Sequence, residues 1–126
     1  MDDESFEGHQ NGRPRRHDGR DPWLVVPRAR VFAELPSSTT APPGVAPAIP
    51  APGDLVSVLI ERAREDTQGR HEEIWLEVVG LDGDTIHATF DSQPTYVRGI
   101  SAGDALTIDM AHVLVTRKAR RSPRSN

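Results

Sequence analysis

From Gly53 onward, apolar and polar residues alternate with a period of two. Val56, Val58 and Ile60 share one side of GDLVSVLIE, and Ile74, Leu76 and Val78 share one side of EEIWLEVVG. The same holds for Ile86, Ala88 and Phe90 in GDTIHATF, and for Leu106, Ile108 and Met110 in GDALTIDM. Such alternation predicts half-buried strands. Three of these stretches open on Gly-Asp, at 53, 83 and 103, with unequal spacings that point to repeated turn chemistry and not to a structural repeat. Val113 to Val115 predicts a short closing strand after Ala111 and His112. Five short strands, starting near Gly53, Glu73, Asp84, Ala105 and His112, give a mainly β fold: a small SH3-like barrel or a strongly curved antiparallel sheet. The expected core is Val56, Val58, Ile60, Ile74, Leu76, Val78, Ile86, Ala88, Phe90, Leu106, Ile108 and Val113.

Trp75 falls out of phase with the apolar residues beside it, so the hairpin register decides where it points. A two-residue loop at Asp82-Gly83 sets Ile74, Leu76 and Val78 against Asp91, Thr89 and His87, which wastes the apolar face. A three-residue loop over Leu81-Asp82-Gly83, with a glycine bulge, pairs Val78 with Ile86, Leu76 with Ala88 and Ile74 with Phe90. Matched apolar pairs favour this second register. It leaves Trp75 on the outer face with Glu77 opposite His87. The indole is then either covered by the Trp23 to Leu35 segment, which needs a place for its own apolar residues, or free as an anchor for a partner.

The rest of the chain has no such period. Residues 1–21 are polar and mixed in charge, which predicts disorder. Residues 22–35, PWLVVPRARVFAEL, predict a strand at Trp23 to Val26 and a short docking helix opened by Pro27, with Val31 and Leu35 on one face and Phe32 beside them. Residues 36–52 hold most of the eleven prolines and read as a stiff linker, with no basic residue flanking the PxxP spacings that an SH3 or WW ligand needs. Residues 53–115 form the β domain, and residues 116–126 a basic, disordered tail.

Charge divides at the same places. Residues 53–115 carry four arginines against twelve acids, and the tail carries five basic residues and no acid. An acidic barrel repels phosphates, so nucleic acid could be held only through the tail, at Arg117, Lys118, Arg120, Arg121 and Arg124. Such a tail can also fold back onto the acidic domain. Without cysteine there is no disulfide, thiolate metal site or cysteine nucleophile. The five histidines lack HxH or HExxH spacing, so no metal or cofactor is expected. No serine has a nucleophile-elbow context and no glycine-rich phosphate loop precedes a helix. Glu77 with His87 is the one cross-strand acid–base couple, and it reads either as a surface ion pair or as a catalytic pair. With no leader-like segment and no membrane-length apolar run, a cytoplasmic setting without membrane contact is expected.

The residues EEIWLEVVGLDGD, the turn containing Pro94 and the stretch GISAGDALTIDMAHV resemble the YegJ-type bacterial domain of unknown function. The matching positions are Trp75, Glu77, Val78, Asp82, Gly83, Asp84, Pro94, Gly103 and Asp104, within about residues 53–115; Asp91-Ser92-Gln93-Pro94 departs from that family's Asn-Asp-Pro segment. The resemblance implies a fold-sized unit and brings no activity with it. The leading expectation is a non-catalytic protein-interaction module using Trp75, Glu77, His87 and Tyr96, in one version an acidic inhibitor or immunity-type protein that masks a basic enzyme. It would act as a monomer or as a homodimer paired through an open sheet edge. The alternatives are nucleic-acid association through the tail and a small hydrolase that leaves no motif.

Overall fold

The computed structural model describes residues 23–62, 71–95, 97 and 99–119. In chain order these form β1 (Trp23–Val26), α1 (Arg28–Glu34), a 3-10 turn at Pro36–Ser38, β2 (Leu55–Arg62), β3 (His71–Asp82), β4 (Thr85–Phe90), β5 (Ala105–Asp109), a 3-10 turn at Met110–His112 and β6 (Val115–Arg117). The strands make one antiparallel sheet in the order β1-β2-β3-β4-β5. β6 shares the β1 edge of β2, pairing with Leu55 to Ser57 where β1 pairs with Leu59 to Arg62. The sheet curls into a half-barrel, and its concave side holds all twelve residues expected in the core.

Four more residues join them there: Trp23, Val25, Val97 and Ile100. Trp23 stands edge-on to Phe90, with ring centroids 6.3 Å apart. The 22–35 segment therefore does two jobs. Its strand closes one side of the concave core, while its helix covers part of the convex side. There Val26, Val31, Ala41, Leu59 and Leu114 are buried together, with Leu24, Phe32, Leu35 and Val115 packed against them. This roof explains why β2 is buried on both faces from Val56 to Ile60 instead of alternating. The proline-rich stretch takes part too, since Ala41 is buried and Thr39 Oγ1 and the Thr40 N–H both donate to Glu73 Oε1, at 3.1 and 3.0 Å. It is bound to the domain along its length and is not a free tether.

Two of the three Gly-Asp turns are copies of each other. The Gly53 N–H donates to the Val78 carbonyl and the Val78 N–H to the Asp54 carbonyl; Gly103, Phe90 and Asp104 repeat the pattern. In each, the aspartate carboxylate accepts the N–H three residues back, from Ala51 at 2.8 Å and from Ser101 at 2.9 Å. Gly53 and Gly103 adopt φ of +95° and +93°, which side chains rarely tolerate.

The hairpin between β3 and β4 differs from the expected register. Its loop is Gly83-Asp84, so Asp82 pairs with Thr85 and Leu81 with Ile86; a bulge at Val79 then sets Val78 against Ala88 and Leu76 against Phe90. Relative to the expectation the lower pairs slide by two residues, which keeps every side chain on its face. Glu77 is a casualty of the slide: it pairs with Thr89, while His87 pairs with Gly80, so the acid–base couple does not form. The closing strand also lies further on, because Met110 to His112 make a turn and pairing begins at Val115.

Candidate functional site

The convex face beyond the α1 roof is open. Its residues are fixed by register: Arg117 on β6 pairs with Leu55, Leu55 with Glu77 and Glu77 with Thr89, while Val115 pairs with Ser57 and Ser57 with Trp75. His87 and Thr107 continue the face toward β5, the Thr107 hydroxyl lying 3.4 Å from His87 Nδ1. Trp75 is half-buried, and Glu77 and His87 are exposed. The indole points away from the concave core as the phase of β3 required; Trp23 lies in that core, and Trp75 is not part of the convex cluster under α1. Its cover is Arg117, whose guanidinium lies 4.5 Å from the ring centroid, a cation–π stack.

Residues 116–119 form a strap that sets this arginine. β6 pairing fixes its backbone, the Thr116 hydroxyl donates to the Ala48 carbonyl at 2.6 Å, and Asp54 anchors the end. The Asp54 carboxylate, 1% exposed, accepts Lys118 Nζ at 2.8 Å on one oxygen and the Ala119 N–H at 2.8 Å on the other. Together with the Ala51 N–H these donors hold it far below the usual carboxylate range, Lys118 contributing most and burial opposing. Beside the strap is an open depression of about 630 Å3, lined by Gly53, Leu55, Arg117, Lys118 and Ala119. Under the same face the Ser57 hydroxyl is buried without a hydrogen-bond partner.

The expected tail is thus corrected at its start. β6 runs to Arg117, whose guanidinium stacks on Trp75, and Lys118 pairs with Asp54, so both cations have partners within the domain while staying exposed. Arg120, Arg121 and Arg124 lie outside the described residues, as does Tyr96. Of the expected contact residues, Trp75, Glu77 and His87 do share the open face. Asp54, Thr116 and Ala119 carry the strap and were not singled out by the sequence. The one available signal was the repeated Gly-Asp turn, which marks Asp54 as a turn residue and is silent about a partner 64 positions away.

Among the described residues no three His, Cys, Asp or Glu side chains are grouped to hold a metal ion, and no helix is long and apolar enough to cross a membrane. The family model described as "Uncharacterized protein conserved in bacteria (DUF2314)" matches residues 50–115. No curated protein and no solved structure matches the chain.

Proposed function

The chain belongs to that uncharacterized bacterial family, DUF2314, and from this premise we propose that it is a non-catalytic module whose convex face docks a basic partner protein. The observation that carries the reading is the half-buried Trp75 on a sheet face left open by the α1 roof, with the exposed Glu77 two positions along the same strand. Tryptophan, with tyrosine and arginine, is enriched among the residues that carry most of the binding energy of protein interfaces. The acidic balance of residues 53–115, four arginines against twelve acids, steers a basic surface toward that patch. In its specific form the module is an inhibitor or immunity-type protein that masks a basic enzyme. A cytoplasmic setting, kinship with SH3-like barrels and a place among YegJ-type members belong to the same proposal.

The test is affinity capture from the native host with the tagged full chain and its Trp75→Ala variant, both checked for equal thermal melts. A basic protein retained by the wild type and lost by the variant supports the reading. Identical protein sets for the two chains refute it.

A further inference from the structure

Resting on that interaction reading, we infer that the Trp75 platform is an arginine-accepting site, filled in the isolated chain by its own Arg117, which a partner's arginine replaces once the strap of residues 116–119 swings away.

The first support is the stack itself. A guanidinium is planar, always charged and weakly hydrated, so a flat indole accepts it better than it accepts the compact ammonium of lysine. Arg117 already demonstrates the fit, 4.5 Å above the ring, while remaining exposed to solvent on its other side. The second is the comparison between the two copied turns. The turn at Ser101 to Asp104 makes its backbone and carboxylate hydrogen bonds as the one at Ala51 to Asp54 does. In addition, Asp54 takes Lys118 and the Ala119 N–H. The turn closes by the bonds the two copies share, so the additional pair on Asp54 holds the strap.

The third support is that release costs little packing. Thr116, Arg117, Lys118 and Ala119 belong to neither buried cluster, and Lys118 is 59% exposed on its side chain. What release uncovers is the indole and the β2 edge at Leu55 and Val56, beside the exposed Glu77. An arginine-bearing loop of a basic protein satisfies all three: its guanidinium takes the ring, its charge meets Glu77, and its backbone can lie along the vacated edge. The strap is then a competitor in cis that sets a threshold for docking.

The test uses the full chain with hexa-arginine and hexalysine peptides as probes, and acrylamide quenching of tryptophan fluorescence as the second readout. Trp23 is 7% exposed in the core, so quenching reports Trp75. Arg117→Gln is expected to raise the quenching and to bind hexa-arginine about two- to fivefold tighter than wild type does, the span of an exposed cation–π contact. Hexalysine is expected to gain less, Arg120→Gln to gain equally for both peptides as a pure charge loss, and Trp75→Ala to remove the arginine preference. Unchanged quenching in Arg117→Gln, or an equal gain for both peptides, overturns the inference. A host protein captured through Trp75 equally well by wild type and Arg117→Gln also overturns it, while leaving the interaction reading standing. An arginine preference gained by Arg117→Gln with no host protein lost on Trp75→Ala upholds the site and removes that reading.

Discussion

Asp54 and Asp104 hold the same position in two copies of one turn, and their surroundings give them different work. Both cap a backbone N–H three residues back, but Asp54 also meets the Lys118 ammonium and the Ala119 N–H, which drive its pKa down from 3.8 against the opposing effect of its burial. A carboxylate with a depressed folded-state pKa stabilises the fold fully above 3.8, and that contribution is lost as pH falls below it. His112 acts higher on the scale. Its Nδ1 accepts the Asp109 N–H at 3.0 Å, which only the unprotonated ring can do, and burial lowers its pKa from 6.5 against the attraction of Asp109. Its contribution is therefore full above 6.5 and fades as pH falls through the lowered value. Urea midpoints measured from about pH 8 to about pH 3 are expected to fall in two stages. His112→Gln should flatten the first stage and Asp54→Asn the second; an upper stage that survives His112→Gln would assign it to another histidine.

The strands show how pattern and packing share the control of an element. Period two in β2, β3, β4 and β5 put each apolar residue on its face, and the bulge at Val79 absorbed the difference between the loop chosen and the loop expected. Parity survives a slide of two, so the core was legible where the partners were not. α1 is the opposite case. Seven residues without a side-chain cap are too few to hold a helix alone, so the cluster around Leu59 must fix it. Leu59→Ala is expected to cost roughly 2–5 kcal/mol in urea unfolding and to release amide protection in α1 while the concave core stays protected. Loss confined to global stability, with α1 amides as protected as before, would show that the helix is held by other contacts, such as the 2.8 Å bond between Arg30 and Glu61.

Over the whole molecule, charge and curvature act together. The strap spends Arg117 and Lys118 internally, so at most Arg120, Arg121 and Arg124 remain of the five cations in the tail. Binding to duplex DNA, if measured against salt, should then follow a log–log slope no steeper than about −2.7, three phosphates at about 0.9 each. A slope approaching −4.5 would mean that all five cations reach the phosphates and that the strap opens on DNA. The sequence by itself determined the β class, the faces of the strands, the twelve core residues and the outward turn of Trp75, because each depends on local periodicity. Only the tertiary structure decided what lies over that indole, that Trp23 closes the core against Phe90, and that the basic segment starts as a strand on β2. Those contacts join residues dozens of positions apart, and their geometry comes from how the sheet curls, which no pattern of neighbours along the chain encodes.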